Sequence, residues 1–394
     1  MGQGRAGRRD QAGVSATLAR VEAHVFRTPI KEPVRTSFGT MTERVAVFVR
    51  AEDSDGARGW GEIWCNFPNA AAEHRALLFA DIVAPRALGK SLDDPVGLWS
   101  EIDRALHVLR VQSGDAGALS AAAAGLDLAI HDLRARKRGL PLWRALGGTD
   151  DSPVPAYASG LNPGRAAYDT VGRMRAAGYR AFKIKVGFGE ETDLGSLRPV
   201  AKEIKSGERL MVDVNQGWDL RTASAMVPKL AEFGLAWIEE PLMADRPWLE
   251  WTQVAAWAPT QLAGGENLRG AGPFQEMIDS GLFGVIQPDA AKWGGHSGCL
   301  PVARAALAAG RTYCPHFLGG AIGLIHSLHL LAAVRGPGLL EVDANPNPLR
   351  EGLLGDLLAA REGTVSLPGG QGLGLEPDLR PLANLRSLHI ERRA

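Results

Sequence analysis

The chain has 394 residues, with Lys plus Arg and Asp plus Glu both at 44, so it carries no net charge at pH 7. That balance gives no pull toward nucleic acid or an anionic membrane, and the length makes two domains the natural expectation. Cys65, Cys299 and Cys314 lack CxxC spacing, and no apolar run reaches membrane-spanning length; together these argue against a disulfide scaffold, a thiolate zinc site or a membrane span, and suit a reducing cytoplasm.

Residues 1–16, "MGQGRAGRRDQAGVSA", are small, polar and basic and lack the apolar stretch of a secretory signal, so they read as a disordered tail. "RVEAHVFRTPI" and "RVAVFVRAEDSDGARGWGEI" read as β-strands, the second broken by a turn at residues 53–56. Residues 70–147 become helical and alanine-rich, and the helix in "ALSAAAAGLDLAIHDLRARKRGLPLWRALGG" is expected to stop near Gly139, ahead of Pro141. Residues 17–150 thus form an α+β unit.

From Val154 a repeated unit follows, with short apolar runs that end in polar residues and lead into helix-like segments. Lys185, Asp213, Glu239, Glu266, Asp289, His316 and Glu341 mark it at steps of 28, 26, 27, 23, 27 and 25 residues. Such steps fit one strand, one helix and two loops. Eight strands of this kind indicate a parallel (β/α)8-type barrel, preferred over an open doubly wound sheet because no Gly-rich phosphate fingerprint follows the first strand.

In such a barrel the C-terminal strand ends face the active site. Asp213, Glu239 and Glu266 would end neighbouring strands about 4.8 Å apart and repel unless a cation holds them; oxygen ligands without His or Cys favour Mg²⁺. Glu240, next in sequence, should point to the other side of its strand. Asp289 beside His316 makes a general base. Lys185 faces it across the mouth, and the nearby Mg²⁺ and its neighbour Lys183 should lower its pKa. Glu341 is either a protonated hydrogen-bond donor to a developing oxyanion or a salt-bridge partner of Lys183 or Lys185. His326 and His329, three apart on an apolar helix without an acidic partner, read as packing residues.

"KIK", "VDVNQGW", "IEEP", "GGEN", "QPDAAKWGG", "PHFLGG" and "LLEVD", in this order and spacing, resemble the enolase superfamily, mandelate racemase subgroup. The resemblance implies a (β/α)7β TIM-type barrel over residues 151–355 and an α+β capping domain over 17–150, with 356–394 returning to the cap. It also implies Mg²⁺ at Asp213, Glu239 and Glu266, Lys185 and His316–Asp289 as the two bases, Lys183 near the substrate carboxylate and Glu341 as electrophile. Capping loops containing Trp64 and Phe67, and "PVRTSFGTM", would close over the substrate. Asn215, Trp64, Asn66 and Arg44 are candidates for touching it, and Arg35 is another. The implied chemistry is removal of a proton α to a carboxylate through an enediolate, with dehydration of a sugar acid as the leading reaction. Racemisation, epimerisation or lactone cycloisomerisation use the same site; a non-catalytic binding protein would not need opposed bases. The expected partners are a small carboxylate substrate and further copies of the chain, as a dimer or octamer.

Overall fold

The computed structural model describes residues 16–394; most of the stretch read as a disordered tail lies outside the described residues. Strands β1 (Leu18–Thr36) and β2 (Gly39–Asp53) pair antiparallel, and β3 (Arg58–Ile63) returns along β2 after the expected turn. Alternation along these strands sends Val21, Ala23, Val25, Val45, Val47 and Val49 into a core shared with the helix Ala116–Lys137. Gly61 lets β3 touch that helix, since a Cβ there would lie 2.1 Å from the Gly125 carbonyl oxygen. The helix ends before Gly139, whose φ is +65°.

"PVRTSFGTM", expected as a loop, is a continuation of the sheet. Strand β1 runs to Thr36, residues 37–38 turn, and β2 starts at Gly39. Ser37 Oγ donates to the Asn215 carbonyl at 2.7 Å and so fixes the hairpin tip to the second domain.

That domain holds eight parallel strands: β4 (Val154–Leu161), β5 (Ala181–Lys185), β6 (Arg209–Asp213), β7 (Ile238–Glu239), β8 (Leu262–Gly264), β9 (Phe283–Ile286), β10 (Thr312–Tyr313) and β11 (Leu340–Asp343). Their order is β10-β9-β8-β7-β6-β5-β4-β11, and helices separate successive strands, which is the (β/α)7β barrel. The ends of the path meet where Leu339 N donates to Cys314 Sγ at 3.3 Å. Tyr157, Ala181, Met211, Trp237, Ala263, Val285, Cys314 and Leu339 fill the barrel interior as one apolar layer. Lys183 and Lys185 on β5, Asp213 on β6 and Glu239 on β7 lie above it, toward the C-terminal ends.

The C-terminal stretch touches both domains. Strand β12 (Thr364–Val365) pairs with β4, whereas β13 (Arg386–Arg393) pairs with β1 and completes the cap sheet in the order β13-β1-β2-β3. His326 and His329, on the helix Ala321–Val334, tie the barrel to the cap side: His326 Nε2 lies 2.8 Å from the Trp60 carbonyl, and His329 Nε2 lies 3.2 Å from that of Leu373. Among the described residues no helix is long and apolar enough to cross a membrane.

Candidate active site

Alternation on β5 sends Ala181, Lys183 and Lys185 inward, one level above another. Lys183 is fully buried and lies against Glu239, Glu341 at 2.8 Å and the Tyr157 hydroxyl at 3.3 Å. Lys185 sits one level higher and donates to Asp213 Oδ2 at 2.6 Å. The expected lowering of the Lys185 pKa by Lys183 is present but does not prevail against Asp213. Burial and Lys183 do push it down, but the Asp213 carboxylate outweighs them and the net shift is upward.

Asp213 and Glu239 are paired in register on β6 and β7. Glu239 also accepts from Trp237 Nε1 at 3.0 Å and Gln287 Nε2 at 2.8 Å. Glu266 lies just beyond β8, held by Lys292 at 3.0 Å and His316 Nε2 at 2.7 Å. The three expected ligands therefore occupy successive strands. Their oxygens do not gather within 4.8 Å of one another, because each turns to a cationic side chain.

Glu240 follows β7 with φ +39°, outside the alternation of its strand. Asn267 Nδ2 donates to both Glu240 oxygens at 3.0 Å and to Glu266 Oε1 at 3.1 Å, joining the two carboxylates. Burial first, then the charges of Glu266 and Asp213, push Glu240 well above the usual carboxylate range.

Around the mouth, His316 Nδ1 lies 2.7 Å from Asp289 Oδ2, and Asp289 is fixed by the amides of Ala291 and Lys292 at 2.8 and 3.1 Å. The carboxylate orients the ring and leaves Nε2 toward the cup. Burial alone would lower His316, but Glu266, Glu341 and Asp289 outweigh it and raise it to about 10. Glu341 is not the protonated donor it was expected to be. Burial would raise its pKa, but Lys183 and His316 hold it at about 2, and it accepts from Ser159 Oγ and the Phe317 amide. The salt-bridge alternative, with Lys183, is the one observed.

A cavity of about 220 Å³ opens over this layer, lined by Thr36, Phe38, Trp64, Phe67, Lys185, Asn215, Gln216, Glu266, Asn267, Lys292, His316 and Leu318. Trp64 and Asn215 thus lie where expected, and the hairpin tip and the loop after β3 form one wall. Asn66 and Arg44 are not among the lining residues. Asn66 donates to the Leu318 carbonyl, and Arg44 is buried with Asp343 at 2.7 Å and the Pro346 carbonyl at 3.1 Å. Lys183 is also absent from the lining, because it lies one level too deep. Sequence reasoning missed Lys292, whose Nζ stands 4.5 Å over the Trp64 ring. A lysine three residues after Asp289, in a run of small residues, was its only signal.

The residues fit a hard divalent cation. Asp213, Glu239, Glu240, Asp289 and Glu341 are buried and Glu266 nearly so, against Lys183, Lys185, Lys292 and His316. Six carboxyls face four cationic groups, burial and mutual repulsion raise Glu240 and bring Glu239 up to about 7, and a cation would let both ionise; every acidic donor is an oxygen. The Asn215 side-chain oxygen is buried without a donor on the edge of the same cavity.

A barrel with this polar cup under a separate α+β cap defines a class of α/β enzymes in which the cap closes the barrel mouth. Residues 20–147 match the mandelate racemase / muconate lactonizing enzyme N-terminal domain, and residues 166–381 match the enolase C-terminal domain-like family. The chain belongs to the enolase superfamily, in its mandelate racemase / muconate lactonizing enzyme subgroup. It is 29% identical to D-galactarolactone cycloisomerase of Agrobacterium fabrum over 386 residues, covering 94% of this chain and 98% of that protein. It is 30% identical to L-talarate/galactarate dehydratase of Salmonella typhimurium over 339 residues, covering 85% and 81%. Among solved structures, a mandelate racemase/muconate lactonizing enzyme from Bordetella bronchiseptica superposes with TM-score 0.88 at 49% identity, covering 94% of this chain and all of that one. A racemase from Streptomyces coelicolor with bound magnesium superposes with TM-score 0.84 at 27% identity, covering 94% and 99%.

Proposed function

We propose that the protein removes the proton α to the carboxylate of a sugar acid in a Mg²⁺-dependent reaction and expels the β-hydroxyl, giving a 2-keto-3-deoxy acid. The observation that carries this reading is the placement of Lys185 and His316. They line one cavity from separate strands, and each is backed by its own carboxylate. Asp213, Glu239 and Glu266 would hold Mg²⁺, which supplies charge stabilisation to the substrate carboxylate as the α-proton leaves. Relatives solved with magnesium support that assignment.

Lys185 would take the α-proton in its neutral form, which becomes accessible once Asp213 turns from it to the cation and leaves burial and Lys183 to lower its pKa. His316 Nε2–H gives its proton to the departing hydroxyl, which leaves as water, and the enol becomes the 2-keto acid. Lys183 and Glu341 act from beneath by fixing Glu239 and the floor of the cup. The free acceptor on Asn215, with Lys292 and Asn267, suits a substrate rich in hydroxyls. Similarity to the talarate/galactarate dehydratase supports elimination. A second reading, opening or rearrangement of a sugar-acid lactone, draws on the longer match to the galactarolactone cycloisomerase. There the leaving group is a carboxylate and needs no acid.

The deciding experiment offers acid sugars and their lactones to the purified protein with Mg²⁺. Formation of a 2-keto acid from an open-chain acid sugar, read as semicarbazone absorbance, supports dehydration. Turnover of a lactone but of no open-chain acid, read by proton NMR, favours the second reading, and turnover of neither class rejects both. The reading extends to a cytoplasmic homo-oligomer, for which three buried free cysteines suit the compartment.

A further inference from the structure

The cap sheet carries a cluster of side chains that the proposed reaction does not use. Glu22 and His24 lie two residues apart on β1 and share a face. His389, on β13, is the directly paired partner of His24 across the antiparallel ladder. One ligand atom from each of the three lies within 4.8 Å of the other two. His24 Nε2 is 3.0 Å from Glu22 Oε2, and His389 Nε2 is 4.0 Å from the same oxygen. The other oxygen, Oε1, faces Arg20 and Arg50. The carboxylate is therefore divided, with one oxygen on the guanidinium groups and one on the imidazoles.

A second observation concerns the same imidazole. His24 Nδ1 is buried and has no hydrogen-bond partner, although the ring is almost fully enclosed. The two imidazoles stack with centroids 4.5 Å apart and planes 7° apart. One ring must turn to bring both lone pairs onto a shared ion, and His389, with its side chain 37% exposed, has the room to turn. Burial would raise Glu22, but His24 and Arg50 hold it ionised at about 2, while burial and His24 lower His389 and favour its neutral form.

We propose that Glu22, His24 and His389 bind a late first-row divalent ion of the Zn²⁺ type, which clamps the C-terminal strand β13 onto β1. Two imidazole nitrogens and one carboxylate oxygen form a donor set for Zn²⁺ or Co²⁺. Mg²⁺ is a poor occupant, because it prefers several oxygen ligands and the cluster offers one carboxylate, whose Oε1 is already held by Arg20 and Arg50. A clamp has a purpose here. Every residue of β13 is exposed or half-buried, so little apolar burial holds that strand.

The test uses the full chain with saturating Mg²⁺, so that the barrel site is not the one read. Co²⁺ is the spectroscopic probe. The expected result is one Co²⁺ per chain with visible d–d absorption, displaced by Zn²⁺, and a melting temperature that rises on adding Zn²⁺. His389→Ala, at an exposed ring, should lose the absorption and the rise while keeping its Mg²⁺-dependent activity. His316→Asn should keep both signals, which separates this site from the barrel mouth. No Co²⁺ bound by the wild type under these conditions, or an unchanged spectrum in His389→Ala, overturns the site. A spectrum without a Zn²⁺-dependent rise in melting temperature overturns the clamp.

Discussion

Lys183 and Lys185 stand two residues apart on one strand and differ by one level of depth. The deeper one neutralises Glu239 and Glu341, and only the upper one lines the cavity. With a substrate whose α-proton faces Lys185, Lys185→Ala should therefore slow exchange of that proton with D₂O by about 10²–10⁴-fold, the usual range for a positioned base. His316→Asn should leave the exchange but stop loss of the β-hydroxyl. Proton NMR of the substrate reads both, and normal exchange in Lys185→Ala would rule out the lysine as base. Arg44 gives the opposite expectation. Its guanidinium forms a buried pair with Asp343, so Arg44→Ala leaves that carboxylate only the more distant Arg350 and should cost up to roughly 3 kcal/mol of stability. The Michaelis constant of the folded fraction should not change; a large rise in it with an unaltered melting temperature would return Arg44 to the substrate.

Among the elements, the β1–β2 hairpin has the most direct hold on the site. Its tip is pinned by Ser37 to the backbone of Asn215, and Phe38, 60% exposed, meets Phe67 edge-on at a centroid distance of 5.0 Å. A large apolar side chain exposed at a cavity rim is suited to cover a bound substrate. Phe38→Ala should leave the melting temperature nearly unchanged and raise the Michaelis constant about fivefold, equivalent to ~1 kcal/mol of lost aromatic contact. Unchanged kinetics with every accepted substrate would show that the hairpin is only a strut. The strand β3 makes a second link from cap to barrel. Glu62 accepts from the amides of Gly320 and Gly323 at 2.5 and 2.8 Å, at the start of the helix that follows the His316 loop. A Cβ on Gly320 would lie 3.0 Å from Glu62 Oε1, so the glycine keeps room for that carboxylate.

Over the whole molecule, the barrel was legible because its strands announce themselves twice, by an apolar run and by a polar residue at a step of 23–28. Alternation then predicted which way Lys185 and Asp213 point. The link of Glu240 to Glu266 through Asn267 was not legible, because Glu240 lies past the end of its strand on a left-handed backbone that no side-chain pattern signals. Nor was the burial of Arg44, whose partner lies 299 residues away in the chain. The two histidines read as packing residues hold barrel and cap together, and they make the last prediction. His329 Nδ1 accepts from the Trp143 amide at 3.2 Å while Nε2 donates to Leu373, so both nitrogens are used only by the neutral ring. Burial pushes His329 down to about 4 and His326 to about 3. The unfolded chain takes up these protons near pH 6.5, so the stability that neutral His329 contributes is complete above that pH. It is lost as pH falls toward 4, at roughly 1.4 kcal/mol per pH unit. Buried Glu62 and Asp132, raised by burial to about 7 and about 6, act in the opposite sense over part of this range, so the wild-type curve alone does not isolate the histidine. The difference between wild type and His329→Gln does isolate it, because the carboxyls are common to both. Chemical denaturation at a series of pH values should show the variant less stable at pH 7.5 and the gap narrowing by roughly 1.4 kcal/mol per unit below pH 6.5. A gap that stays constant down to pH 4.5 would mean that His329 is not held neutral between cap and barrel.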